Sequence, residues 1–371
     1  MTRWAKSFGG FAIWAGCVLG AQAQFPGDGG GAMPEPLGMP SSGGGLVPGP
    51  ISPLAAPPGP DDQFSLPASS PSAFMDDPRP LETAVFLHVG AIALKQFSPA
   101  GPVVATSPTA SLSYSDVDPQ MLWGGRATLG ILHENHAWEI TGFYIPNHGS
   151  SNSAAPTSGT MTIPFGAIPP DMAATGLTNT ANGVIQNYYS SFGNVELNYR
   201  TTNLAIFNFE AIVGLRYTDL QQSASTNYIG ATPTASSVYS ATTYNRMVLP
   251  QIGFEHNLQP ICGVSLGSQY KVALGPNFTQ SQLNLNQGTG LNLLSNSANN
   301  TTFGQIYEIN LFGNINLTER FRFKAGVDVI WANGIATPGN VLNYNISSPT
   351  ISSRSGSSFY WGPTFELQFL F

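Results

Sequence analysis

The C-terminal stretch Ser358–Phe371 reads SFYWGPTFELQFLF, and its two alternating sets of side chains decide the fold. The odd positions are aromatic or aliphatic apart from Pro363, whereas the even positions carry Thr364, Glu366 and Gln368. Successive side chains of a strand point to opposite sides, so this stretch predicts a strand with one apolar and one polar face. Such a face is typical of an outer-membrane barrel strand, whose outer side meets lipid. An edge strand of a soluble β-sandwich is the alternative.

The same stretch closes the chain on Phe371, with no charged tail after it. A terminal aromatic strand of this kind resembles the insertion signal of bacterial outer-membrane barrels. We therefore expect two partners, the barrel-insertion machinery, reached through Phe371, and the lipid of the outer membrane.

The composition favours a membrane barrel and argues against several other classes. Charged residues make up only 9% of the 371 residues, compared with roughly 25% in an ordinary soluble domain. No apolar run after residue 30 is long enough for a spanning helix. The formal charge of −7 with few Lys or Arg excludes nucleic acid as an expected partner.

The N-terminus predicts export through a signal peptide that covers residues 1–23. Arg3 and Lys6 provide the positive start, residues 8–19 the apolar middle, and residues 21–23 an A-x-A cleavage site. Residues 24–82 are rich in Gly and Pro and predict a disordered linker, either an inert tether or a partner-binding segment. Residues 83–371 then form the predicted barrel domain.

The two cysteines support no disulfide framework. Cys17 offers lipoprotein processing as an alternative to signal-peptide cleavage, although Trp14 stands where that signal prefers an aliphatic residue. Removal of Cys17 leaves Cys262 alone, and we interpret Cys262 as a small apolar residue of a strand.

Beyond residue 83 the pattern predicts an all-β chain of ten strands, each long enough to cross a bilayer. The predicted strands are Ala84–Lys95, Met121–Leu132, His136–Ile145, Tyr188–Arg200, Asn203–Leu220, Tyr244–Glu255, Ile261–Gly275, Phe303–Asn314, Arg320–Ala332 and Ser358–Phe371.

Short and long connections alternate between these strands. The long ones are Gln96–Gln120, Pro146–Asn187, Gln221–Thr243, Pro276–Thr302 and Asn333–Ser357. Periplasmic turns and external loops of an antiparallel barrel alternate in this way. The sequence therefore predicts an up-and-down transmembrane β-barrel of about ten strands, with five long external loops and both termini in the periplasm.

In the predicted strands, the charged residues occupy the positions that alternate with the apolar ones. This alternation (opposite parity) predicts that the charged side chains face the lumen. A charge on the lipid face near the midplane costs about 2–4 kcal/mol for Arg or Lys. The predicted lumen residues are Arg126, Glu139, Glu196, Arg200, Glu210, Arg216, Lys271, Glu308, Arg322, Lys324, Asp328 and Glu366.

The sixth strand departs from this rule. Asn245, Gln251 and Glu255 share one parity and Arg246 has the other. Pro250 interrupts the strand, and a bulge there would reset its phase.

Six cations and six anions in a narrow lumen should pair rather than remain unmatched. We expect pairs between neighbouring strands near Lys271–Glu308, Lys324–Glu366 and Glu210–Arg200. Structural packing is the favoured interpretation, and an ion-conducting path or a buried acid–base site is the functional alternative.

Aromatic residues on the apolar parity predict the interfacial girdles of a membrane barrel. They are Trp123, Trp138, Tyr144, Tyr189, Tyr199, Tyr217, Tyr270, Tyr307, Trp331 and Trp361.

With these residues placed, the chain resembles a family of outer-membrane β-barrel proteins found in planctomycete bacteria. The matching segments follow in order: 122–130, 138–144, 194–198, 213–220, 244–246, 270–275 and 331–339. Cys262 and Pro250 depart from the expected strand residues. The resemblance covers about residues 84 to 371 and implies a barrel in the outer membrane, with no established activity and no catalytic residue.

No nucleophile elbow, phosphate loop or His-rich zinc motif is present in the sequence, so we expect no enzyme and no cofactor. His133 and His136 flank a short turn, where solvation is expected rather than metal binding. Asp116 and Asp118 have too few acidic neighbours for a calcium site.

A rim protease is the enzymatic alternative, since some ten-stranded outer-membrane barrels carry catalytic Asp and His residues there. The candidates here lack paired spacing. They are Asp116, Asp118, His148, Asp171 and Asp219.

Three functions therefore remain from the sequence. The first is a barrel with an ion-paired lumen and a structural or surface-interaction role, which includes an external ligand held by the loops. The second is a narrow porin-like channel for small solutes, and the third is a secreted β-sandwich.

Overall fold

The computed structural model describes residues 83–133, 136–204, 209–261, 263–318, 320–351 and 355–371. The predicted signal peptide (1–23), the predicted linker (24–82) and the interpretation of Cys262 lie outside the described residues.

In the described part of the chain, ten antiparallel strands form a closed barrel, which confirms the fold predicted from the alternating pattern. Every strand pairs with its neighbour in the chain, and the first strand closes the barrel on the last. The strands are β1 (Ala84–Gln96), β2 (Leu122–His133), β3 (His136–Ala154), β4 (Gly183–Leu204), β5 (Phe209–Ile229), β6 (Ser237–Ile261), β7 (Val264–Gln287), β8 (Asn292–Thr318), β9 (Phe321–Ile335) and β10 (Gly356–Leu370).

The register places both ends of the barrel domain at the end with the short connections. Phe86 of β1 lies opposite Leu370 of β10, and the Phe371 amide donates to the Val85 carbonyl at 2.8 Å. We call this the short-turn end, which the predicted topology assigns to the periplasm.

At the opposite end the strands continue well beyond the predicted membrane segments. The predicted loops 221–243 and 276–302 are instead mostly strand, closed by the connections 230–236 and 288–291. In these segments inward apolar residues alternate with outward polar residues, which is the period of a strand. Ala224, Tyr239 and Leu283 are examples of the buried inward residues. The strand ends predicted at Leu220, Tyr244, Gly275 and Phe303 were therefore wrong, and two of the five predicted long loops are hairpins of continuing strands.

The three remaining connections at this end fold against the upper barrel rather than extending into solvent. They contribute a four-stranded sheet, a 3₁₀ helix and two α-helices of four and five residues. The elements are Val103–Thr106, Ser111–Ser113, Tyr114–Asp116, Met161–Thr162, Pro170–Ala174, Thr180–Ala181 and Pro338–Val341. No helix in the described part of the chain has the length and apolar character needed to cross a membrane.

The outer wall of the barrel is apolar. Trp123 and Trp138 are each 57% exposed, and Ile140, Val213 and Leu311 are exposed between the two ends. Exposure of so large an apolar surface to water is energetically unfavourable. This wall therefore fits a lipid environment.

The sixth strand keeps one phase from Ser237 to His256, so the predicted bulge at Pro250 is wrong; a register shift occurs only near its end, between Leu258 and Ile261. Pairing with β5 runs without a register shift from Ser237 to His256, and Pro250 lies opposite Leu215. Asn245 and Gln251 are therefore buried in the lumen, whereas Arg246 is exposed on the outer wall. The Pro250 ring is accommodated inside a continuous strand.

Candidate functional site

The charged side chains of the strands converge inside the barrel. All twelve predicted lumen residues lie on the inward parity, and ten of them are buried, while Arg200 and Lys324 are half-buried. Ten of the twelve form two groups of ion pairs at different heights, which we call the upper and the lower cluster, and the other two, Arg322 and Lys324, line a cavity at the short-turn end.

Arg216 is the centre of the upper cluster and is only 1% exposed. Its Nη2 lies 2.6 Å from Glu196 Oε1 and 2.5 Å from Glu308 Oε2, and its Nε donates to Gln251 Oε1 at 3.0 Å. Lys271 approaches the same two carboxylates, with Nζ 3.0 Å from Glu196 Oε2 and 3.5 Å from Glu308 Oε1. Two cations thus share two carboxylates, and these four side chains come from β4, β5, β7 and β8.

Arg126 extends the upper cluster to the other side of the lumen. Its Nη1 lies 2.8 Å from Asp328 Oδ2, its Nε 3.3 Å from Glu366 Oε1 and its Nη2 4.0 Å from Glu308 Oε1. Because Glu308 also contacts Arg216 and Lys271, the cluster forms a continuous bridge across the barrel.

The lower cluster consists of Arg200 surrounded by three carboxylates. Its guanidinium nitrogens lie 2.9 Å from Glu139 Oε2, 3.2 Å from Glu210 Oε2 and 2.9 Å from Glu255 Oε2. Asn198 joins the two clusters, since its Nδ2 donates to Glu139 and to Glu196, each at 3.1 Å.

Of the three expected pairs, Lys271–Glu308 and Arg200–Glu210 form, and Lys324–Glu366 does not. The strands align Lys324 with Glu366, but the Lys324 ammonium lies 3.9 Å from the centroid of the Phe312 ring. No carboxylate of the described residues lies within 4.0 Å of that ammonium. A cation–π contact therefore takes the place of the expected ion pair.

The sequence prediction missed three polar members of the site. Glu255 contacts Arg200, Gln251 donates to Glu196 Oε2 at 3.0 Å, and Asn198 links the clusters. Each lies on the inward side of its strand, so the alternation of side chains could have identified it. The bulge expected in β6 made the inward side of Gln251 and Glu255 ambiguous.

An apolar layer lies directly above the upper cluster and was also missed. Toward the long-connection end, Ile306 follows Glu308, Ile330 follows Asp328, and Leu249 follows Gln251 on the inward side. Fourteen buried residues form this layer, which we call the apolar seal: Ile92, Leu94, Phe143, Ile145, Phe192, Leu220, Met247, Leu249, Ala273, Ile306, Ile330, Ala332, Ile335 and Tyr360.

Above the apolar seal, amide and hydroxyl groups bridge the lumen. Gln222 Nε2 donates to Ser358 Oγ at 3.0 Å and to Tyr360 Oη at 3.2 Å, and Tyr188 Oη donates to Gln96 Oε1 at 3.0 Å. Higher still, the inward side of the extended strands and the folded connections share a second apolar core. Tyr114 of this core is fully buried, and burial raises the pKa of its phenol well above the usual value.

A cavity of about 80 Å³ lies at the short-turn end. It lies between the lower cluster and the apolar residues Phe86 and Leu370, and Arg322 and Lys324 line it. This space is comparable to a few water molecules, and the apolar seal separates it from the opposite end.

The other candidate residues have local structural contacts. His133 Nδ1 lies 3.1 Å from Thr83 Oγ1, and His136 Nδ1 lies 2.8 Å from Tyr199 Oη. Asp118 pairs with Lys95 at 3.0 Å, and Asp116 accepts from the Ser113 amide at 2.6 Å. Within the described ranges, no three His, Cys, Asp or Glu side chains are grouped so as to hold a metal ion.

The remaining rim candidates are dispersed. Asp171 is exposed in the helix Pro170–Ala174, and Asp219 faces outward on β5 opposite Arg246 of β6. The side chain of His148 lies outside the described residues.

Residues 95–367 match the model of a protein family described as "Putative beta barrel porin-7 (BBP7)". No curated protein matches the sequence. Among solved structures, the outer membrane protease OmpT from Escherichia coli is 10% identical with a TM-score of 0.38, over 78% of this chain and 96% of that one.

Two other solved structures show a similar degree of likeness. The toluene transporter TodX from Pseudomonas putida is 10% identical with a TM-score of 0.29, over 81% of this chain and 93% of that one. A FadL homologue from Pseudomonas aeruginosa is 12% identical with a TM-score of 0.24, over 83% and 95% of the two chains. Likenesses at these scores support no conclusion about the activity of this chain.

Proposed function

The chain belongs to the beta barrel porin-7 (BBP7) family and is an outer-membrane β-barrel, and we propose that in its resting state it does not conduct solutes. Its role is structural, or it binds a partner through the surface that it presents outside the cell. The proposed role involves no enzymatic step, and the rim carboxylates Asp116 and Asp118 act in local contacts.

The apolar seal is the observation that carries this proposal. Phe143 and Phe192 contact each other inside the barrel, with ring centroids 5.1 Å apart, and both are buried. An ion that entered from the short-turn end would lose its hydration shell among aliphatic and aromatic side chains. Desolvation of a charge in such surroundings costs many kcal/mol, so the layer blocks permeation.

Planar-bilayer recording of the refolded protein tests the proposal. We expect no steady unit conductance from the native chain. Steady unit conductance of the native chain would refute the closed lumen.

A narrow channel for small solutes is the second candidate, and the family description favours it. The cavity at the short-turn end would then be the periplasmic vestibule of a path that opens when the seal rearranges. The same recording distinguishes the two candidates, because a channel shows conductance without any substitution.

Export and insertion complete the proposal. The segment 1–23 directs export, and the exposed Phe371 presents the terminal strand to the insertion machinery. Deletion of Phe371 should lower the amount of heat-modifiable barrel in the outer membrane without changing the amount of chain synthesised.

A further inference from the structure

Two hairpins project beyond the girdle at the long-connection end and present an outward surface of polar side chains. We call this surface the outer polar face, and it consists of the outward side chains of residues 221–225, 240–244, 280–284 and 295–299, one range on each of β5 to β8. It starts four residues beyond the girdle residue Tyr217 on β5.

The register places these side chains in rows at equal height. Gln221, Tyr244, Gln280 and Asn299 lie opposite one another on four adjacent strands. The next row toward the tip has Gln282 between two hydroxyl side chains. Strands are about 4.8 Å apart, so each row repeats polar groups at that spacing.

The outer polar face is rigid rather than loop-like. Its reverse side is packed on the upper apolar core through Ala224, Tyr239 and Leu283, each no more than 1% exposed. Cross-strand hydrogen bonds also fix its side chains, with 2.9 Å between the hydroxyls of Ser223 and Thr242. Binding to a surface that is already ordered requires less side-chain ordering on association.

The surface is also free of charge. Residues 220–245 and residues 272–307 contain no Asp, Glu, Lys or Arg. An ordinary soluble domain contains about 25% charged residues. A partner with phosphates or carboxylates would require cations that this face does not provide.

A second protein copy fits the face poorly. Four strands and five residues give an area of roughly 300–400 Å², whereas a stable interface buries about 800 Å² on each partner. Interface cores are enriched in aromatic residues and depleted in Ser, while this face carries one aromatic residue, Tyr244, among amides and hydroxyls.

We propose that the outer polar face binds an uncharged polysaccharide. Each Gln or Asn side chain offers two donors and one acceptor, which match the hydroxyl groups of a sugar in both directions. Tyr244 lies between Gln221 and Gln280 and provides an aromatic surface on which a sugar ring stacks. The proposal rests on the proposed surface-binding role of the protein and specifies the chemistry of the partner, a neutral polysaccharide.

Binding of the full-length protein in lipid nanodiscs to immobilised dextran, mannan and laminarin, and to an array of neutral oligosaccharides, tests the proposal. We expect retention on at least one of them. Gln282→Glu replaces the central amide by a carboxylate that cannot donate, so it should weaken binding about ten-fold or more. Gln120→Glu adds the same charge at an exposed site away from the face and should leave binding unchanged.

Heat-modifiable migration of each variant shows that its barrel is folded. Absence of retention on every neutral glycan would overturn the proposal, as would equal weakening by the two substitutions. A glycan-independent dimer that dissociates in Gln282→Glu would assign the face to a second copy instead. Conductance of the same nanodisc preparation after fusion with a planar bilayer reports separately on the closed lumen, so the two proposals fail independently.

Discussion

Replacement of Arg216 by methionine is the sharpest test of the lumen network. The side chain is only 1% exposed, and its two ion pairs are 2.6 Å and 2.5 Å long. Arg216→Met leaves Glu196 and Glu308 in the interior with Lys271 as their nearest shared cation. Removal of one partner from a buried ion pair costs about 3–5 kcal/mol, because the remaining charge is uncompensated.

A matched control is available on the outer wall. Arg246 has the same chemistry but is exposed, and it lies opposite Asp219 of β5. The two side chains form no ion pair within 4.0 Å, and exposed substitutions of this kind usually change stability by about 0.5 kcal/mol or less. Arg216→Met should therefore destabilise the protein several-fold more than Arg246→Met, although both remove one positive charge.

Urea unfolding in lipid vesicles, followed by tryptophan fluorescence, measures both effects. Addition of Glu308→Gln to Arg216→Met should restore part of the lost stability, because Lys271 then faces one carboxylate, Glu196, instead of two. Equal costs for the two arginines, or no recovery in the double variant, would refute a structural role for the network.

Three further predictions follow from the layers above the network. Phe143→Ala should lower the free energy of unfolding by about 3–5 kcal/mol, because the substitution opens a cavity in the apolar seal. Urea titration measures this change in unfolding free energy. Tyr114→Phe should raise the melting temperature on heat-modifiable gels, because the buried Tyr114 hydroxyl has no hydrogen-bond partner among the described residues. Burial raises the pKa of Tyr344 to about 12, above its unfolded value of about 10. Its contribution to stability is therefore complete below pH 10 and declines as the pH rises toward 12, which protease sensitivity of the upper connections should report.

Side-chain parity made the barrel wall predictable from the sequence. Glu366 alternates with Phe365 and Leu367, and a period of two leaves only one assignment of inside and outside once lipid is the outer solvent. Ten strands and their antiparallel order followed from the same pattern.

Parity does not report height along the barrel, so the apolar seal was not predictable in the same way. Ile306 and Glu308 share the inward side, and nothing in their spacing shows that one lies in a sealing layer and the other in an ion cluster. Height depends on the stagger of neighbouring strands, which is a long-range property of the closed sheet.

The extended hairpins were missed because composition outweighed pattern. Stretches such as residues 280–286 are rich in Ser, Asn and Gln, which favours a loop interpretation. The alternation of Ser281, Leu283 and Leu285 with outward amides nevertheless has the strand period. In the same way, Pro250 suggested a bulge, although its ring fits a regular position of β6.

Placement of apolar side chains in lipid and charged side chains in the lumen is the central claim, and fluorescence quenching tests it most directly. Trp123, Trp138, Trp331 and Trp361 all lie exposed on the outer wall. Trp4 and Trp14 lie in the predicted signal peptide, so in a chain that begins at Gln24 reconstitution into brominated lipid should strongly quench the emission of these four residues. Emission that stays as bright as in unbrominated lipid would place the tryptophans away from the acyl chains and contradict the account.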